Sequence, residues 1–131
     1  MWKFIFGSVP GTSHMRSGLP CQDYSAAIVS GTTLIASCAD GAGSAEFSQI
    51  GSEAAVTRFI SEVSDQYVSE DGAPTIQQMQ EWVEAARIEL LEQATKFEAA
   101  PRQLACTFLA ALVGDTWAAF IQIGDGAIVF D

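Results

Sequence analysis

The stretch from Cys21 to Ser44, CQDYSAAIVSGTTLIASCADGAGS, restricts the fold more tightly than any other part of the chain. Two runs rich in Ile, Val, Leu, Ala, Thr and Ser, Asp23–Ser30 and Thr33–Ala39, flank Gly31-Thr32. That dipeptide suits the two-residue turn that closes a β-hairpin. With such a loop, Ser30 faces Thr33, and every further pair keeps the same sum of residue numbers. Counting outward brings Asp23 opposite Asp40. The count from the turn-flanking pair is odd, so this is a non-hydrogen-bonded pair, with Cα atoms roughly 4.5 Å apart.

Two ionised carboxylates about 5 Å apart repel by roughly 3 kcal/mol at an effective dielectric near 20. A fold tolerates this by protonating one, by pairing both with basic groups, or by binding a cation. Basic residues are scarce, with Lys+Arg at 6 against Asp+Glu at 16. Asp40 is followed by Gly41-Ala42-Gly43, a bend whose carbonyls can turn inward. Carboxylates and carbonyls together make the oxygen-only shell that hard divalent ions prefer. Two readings fit the spacing: a cation site, or a strand that starts at Asp23 with an ordinary turn at Asp40-Gly41. A one-residue change of loop length destroys the pairing.

The length of 131 residues suits one domain with a real core, and 49% hydrophobic against 17% charged residues describes a globular chain. A net charge of −10 with no basic stripe argues against nucleic-acid binding. Cys21, Cys38 and Cys106 are odd in number and lack paired short spacing. Free, mostly buried thiols in a reducing compartment are expected rather than a disulfide framework or a zinc site. Met1–Phe6 is too short an apolar run for a signal peptide, and no stretch approaches the length of a membrane span. A cytoplasmic location is expected, with no membrane partner.

Taken in order, Trp2–Phe6 reads as a first strand. Gly11–Pro20 reads as a polar loop carrying His14, the single histidine, and Arg16. Either could lie beside Asp23 and hold an anion, Arg being the better phosphate ligand because its planar fork binds two oxygens. Ser44–Val68 changes to a helical period, with Ile50, Ala54, Val56, Phe59, Ile60, Val63 and Tyr67 forming the apolar stripe. Gly51 within it suits close packing on a sheet. Ser69–Pro74 is a loop. Thr75 and Gln78 then form a capping-box pattern ahead of a second helix, whose stripe is Ile76, Met79, Val83, Ala86, Leu90, Ala94 and Phe97. The two helices are expected to pack antiparallel on one face of a sheet.

Beyond a short connection at Ala99–Arg102, Leu104–Val113 and Thr116–Ile123 read as strands joined at Gly114-Asp115. Both carry apolar residues on both faces, so both are expected to be central. Gly124-Asp125-Gly126 breaks the run, and Ala127–Phe130 begins another strand. The expected class is α+β: a layered β-sandwich with an antiparallel helix pair on one sheet. An apolar strand at the end of the sequence suggests that residues 1–131 are a single partial domain of a larger sandwich.

Gln22-Asp23, Ala39-Asp40-Gly41-Ala42-Gly43 and, after a strand hairpin containing Thr107, Ile123-Gly124-Asp125-Gly126 occur in that order, with two helices between the second and third. This set resembles the type-2C metal-dependent serine/threonine protein phosphatases, their bacterial branch most closely. The resemblance covers nearly the whole chain but about the N-terminal half of the family domain. It implies a partial α-β-β-α fold in which Asp40 bridges two Mn2+ or Mg2+ ions, the Gly41 carbonyl ligates one, and Asp23 joins the same cluster. By the same resemblance, Asp125 serves a further, weaker metal. Two more metal-ligating aspartates belong to the half that is absent here. Gln22 stands where many members have Glu, and Gly126 where Ser is common. Arg16 and His14 are the candidates for phosphate binding, since the family's arginine has no certain counterpart.

The implied activity is hydrolysis of phosphoserine or phosphothreonine in proteins by metal-activated water. A phosphoprotein and a cognate serine/threonine kinase system are the implied partners. A non-catalytic phosphatase-like module that binds a phosphoprotein is the alternative. In a third reading, a structural domain, both Asp-Gly sites are simple turns.

Overall fold

The computed structural model describes residues 1–67 and 72–130, apart from the side chain of His14. The hairpin forms in the expected register. Strands β1 (Tyr24–Ser30) and β2 (Thr33–Ala39) pair antiparallel from Ser30↔Thr33 to Tyr24↔Ala39. Strands β3 (Phe108–Val113) and β4 (Ala118–Ile123) extend the sheet in the order β1-β2-β3-β4, all neighbours antiparallel.

Alternation along the strands divides the sheet into two faces. Ile35, Ala39, Phe108, Ala110 and Leu112 point into the core. Leu34, Ala36, Cys38, Leu109 and Ala111 occupy the opposite face. Helix α2 (Ser48–Gln66) lies on the core face against β1, β2 and β3, and α3 (Ile76–Lys96) packs beside it. The pair is antiparallel: Phe47 at the start of α2 stacks on Phe97 at the end of α3, while Tyr67 meets Trp82 near the other end. Phe59 links the layers through edge-on contacts to both Trp82 and Phe108. Each such fully buried side chain contributes about 1.5–3 kcal/mol of burial energy. The capping box forms as expected: the Gln78 amide N–H donates to Thr75 Oγ1 at 3.2 Å, and the Thr75 N–H to Gln78 Oε1 at 2.8 Å.

Several expectations shift. Residues 2–6 form no strand; they run unpaired over the sheet's outer face, where Trp2 Nε1 donates to the Thr32 carbonyl at 2.6 Å. The polar loop that follows holds a short helix, α1 (Thr12–Ser17). The α2 stripe is rotated at its start. Gly51, Ser52 and Ala55 are buried, and Ile50 and Ala54 half-buried, because Gly51 seats on the 3-10 turn Pro101–Leu104 rather than on a sheet. A Cβ at Gly51 would stand 2.0 Å from the Leu104 carbonyl oxygen. On α3 the deepest residue is Trp82, outside the expected stripe, whereas Ile76 at the first position is 76% exposed.

Leu104 belongs to the 3-10 turn and not to β3. The β3–β4 turn sits one residue later than expected, at Asp115-Thr116, since the Gly114 N–H donates to the Trp117 carbonyl and Val113 pairs with Ala118. β3 is central, but β4 is an edge strand. Residues 127–130 join no ladder, although Phe130 stacks on Phe120. Among the described residues there is one sheet, so the observed architecture is α+β with a helix pair on a four-stranded sheet. The expected loop at 69–74 and the helix end at Val68 fall partly outside the described residues. All three thiols are free, but Cys38 is exposed and Cys21 and Cys106 are half-buried.

Candidate metal centre

The hairpin's ladder continues past its last paired residues. The Gly41 N–H donates to the Gln22 carbonyl at 3.1 Å, so the same register carries through Asp23 and Asp40 and places them opposite one another on the outer face. Both are exposed. Behind them the chain is packed without slack. A Cβ at buried Gly41 would meet the Gln22 carbonyl oxygen at 2.6 Å and the Ser48 Cβ at 2.9 Å. Ser52, fully buried on α2, donates its hydroxyl to the same Gln22 carbonyl at 2.7 Å. The open end of the hairpin is thereby pinned to the first turns of α2.

The third carboxylate arrives by a different route. Thr107, just before β3, donates its N–H to the Asp40 carbonyl at 2.8 Å, and its Oγ1 accepts from the Asp40 N–H at 3.1 Å. Gly124 rests on the other side of the same threonine, with φ at 97°. A Cβ at Gly124 would stand 2.8 Å from Thr107 Cγ2. The Gln122 side-chain amide donates to the carbonyls of Gly124 and Gly126, at 3.3 and 2.8 Å, closing the loop that presents Asp125.

Asp23, Asp40 and Asp125 consequently line one cleft of about 460 Å³, together with Ser8 and Thr107. Its donor groups are oxygens apart from the Cys38 thiol, and no Lys or Arg lines it. That donor set suits a hard divalent cation. Among the described residues, no three His, Cys, Asp or Glu side chains close into a ready metal shell. Gly41 is buried and forms no part of the lining. Nor does Arg16, exposed on α1. The side chain of His14 lies outside the described residues.

The field of the acidic cleft reaches the neighbouring thiols. Burial and then the Asp23 carboxylate push the Cys38 thiol above its ordinary pKa, and burial and then Asp40 do the same to Cys106. Sequence reasoning named Thr107 within the resembling strand hairpin but not its grip on Asp40, and it missed Ser52 behind Gln22 and Gln122 as the clasp of the Asp125 loop. The available signal for the last was a lone polar residue in the apolar run Trp117–Ile123.

The sequence pattern of the family described as Protein phosphatase 2C matches residues 10–131. The chain belongs to the protein phosphatase 2C family. Its similarity to Serine/threonine-protein phosphatase 3 of Escherichia coli (strain K12) is 30% identity over 135 aligned positions, covering 99% of this chain. The chain spans about half of that relative's length, 53%. No solved structure matches it.

Proposed function

We propose that the chain is the N-terminal part of a protein phosphatase 2C domain that hydrolyses phosphoserine and phosphothreonine esters with divalent metal, Mn2+ or Mg2+. One observation carries the reading: a single cleft gathers Asp23, Asp40 and Asp125 from three separate stretches of sequence. In this reading Asp23 and Asp40 hold the principal metal site, with the Gly41 carbonyl as a further donor, and Asp125 serves a weaker one. When bound, the metal supplies a water of lowered pKa and neutralises charge on the phosphoryl oxygens. The protein's own contribution is rigidity: the hairpin fixes the Asp23–Asp40 spacing before any ion arrives, so binding need not order the backbone. The second sheet of the sandwich and the remaining aspartates belong to the rest of the domain. Substrates are phosphorylated proteins, of a cognate kinase system. Arg16 or His14 is the proposed phosphate contact on the N-terminal side.

The absence of Lys or Arg from the cleft lining favours a second reading, a phosphatase-like module without turnover. Two measurements separate the readings. Calorimetric titration of the chain with Mn2+ should show weak binding that Asp40→Asn abolishes. A longer polypeptide carrying the rest of the domain should hydrolyse p-nitrophenyl phosphate and a phosphothreonine peptide faster with Mn2+. Metal binding without turnover by the longer polypeptide selects the module; neither binding nor turnover removes the metal reading altogether.

A further inference from the structure

Thr107 touches two of the three aspartate-bearing segments, one through its hydroxyl and backbone N–H and the other through its methyl group. Its Oγ1 accepts the Asp40 N–H at 3.1 Å, and its own N–H donates to the Asp40 carbonyl at 2.8 Å. Its Cγ2 is the surface on which Gly124 rests, close enough that a Cβ there would stand at 2.8 Å. The chain reverses at Gly124 and is clasped from the far side by the Gln122 amide, so the position of Asp125 follows the position of that methyl group. We propose that Thr107 is a positioning residue that sets the spacing between Asp40 and Asp125 across the cleft, its hydroxyl governing one and its methyl the other.

The inference rests on the metal reading only for its consequence, since the contacts themselves are present without an ion. No other residue type supplies both arms at this size. Serine retains the acceptor and loses the methyl; valine is nearly the same shape and loses the acceptor. A residue that merely fills space would respond to both substitutions in one way. A two-armed residue separates them.

The experiment is amide hydrogen exchange, residue by residue, on the chain and on its Thr107→Val and Thr107→Ser variants, without metal. Thr107→Val should speed exchange of the Asp40 amide roughly tenfold, the effect of losing one modest hydrogen bond, and leave residues 124–126 unchanged. Thr107→Ser should leave the Asp40 amide unchanged and shift the amide resonances of residues 124–126. Any other pattern overturns the proposal, including both variants disturbing both segments or neither disturbing either. Mn2+ is then added to each protein and paramagnetic broadening is followed. Broadening of the cleft residues should require more Mn2+ in both variants than in the wild-type chain. A wild-type chain that shows no broadening sinks the metal reading, while the exchange pattern still decides what Thr107 does.

Discussion

Cys38 and Cys106 report on the two central aspartates without any need for metal. Each thiol is held above its ordinary pKa first by burial and next by one carboxylate, Asp23 for Cys38 and Asp40 for Cys106. A raised thiol pKa means less thiolate at mildly alkaline pH, and thiolate is the nucleophile. Alkylation by iodoacetamide near pH 8 should therefore be slower at both than at an unperturbed cysteine. Asp23→Asn should speed the reaction at Cys38 and leave Cys106 alone; Asp40→Asn should speed Cys106. Peptide mass spectrometry of time points reads the two sites separately, and a crossed or absent response would place the carboxylates elsewhere. Gly41 tests the same region through sterics. Its missing Cβ leaves room for the Gln22 carbonyl oxygen at 2.6 Å from where that carbon would be, a backbone atom that cannot swing away. Gly41→Ala should cost about 1–3 kcal/mol by overpacking, measured by urea denaturation.

At the scale of elements, α3 offers the sharpest contrast between its two ends. Thr75→Ala removes the hydroxyl half of the capping box, leaving its backbone N–H to Gln78, and should cost about 1 kcal/mol. Trp82→Ala should cost about 3–5 kcal/mol, since Trp82 is 1% exposed, meets Phe59 and Tyr67 edge-on, and donates Nε1–H to Gln66 at 3.1 Å. Chemical denaturation monitored by far-UV circular dichroism gives both values. The cap was legible in the sequence because it depends on residues three apart. The tryptophan was not, because the stripe was counted from Ile76, an apolar residue that the fold leaves in solvent. The hairpin was legible for the same local reason as the cap, and with it the opposition of Asp23 and Asp40. The β3–β4 turn was misplaced by one residue because Gly114 is needed for something else. A Cβ there would lie 2.4 Å from Trp117 Nε1, so its role is to admit the ring and not to make the turn. Asp125 was recognisable only by its motif; what seats it, Thr107 and Gln122, is a tertiary arrangement that no local pattern announces.

Across the whole molecule, the two faces of the sheet are treated unequally. The core face is sealed by α2, whereas the outer face is covered in part by the segment that begins the chain. Phe4 and Phe6 line a hollow of about 540 Å³ over Ala27, Leu34, Ala36 and Leu109, yet they remain 44% and 55% exposed. The tether is slight: Trp2 Nε1 to the Thr32 carbonyl, and Ser8 Oγ to Ser25 Oγ at 3.2 Å. An apolar surface of this kind invites association, and a net charge of −10 opposes it through like-charge repulsion that salt screens. Deleting residues 1–7 should raise the fluorescence of the apolar dye ANS and promote self-association at high salt more than at low salt, followed by analytical ultracentrifugation. The denaturation midpoint should move little, because Ile35, Phe59, Trp82 and Leu112 lie on the other side of the sheet. Unchanged dye binding would mean the segment does not cover that face. A large drop in midpoint would instead make it a structural part of the core, contrary to its exposure and its two thin attachments.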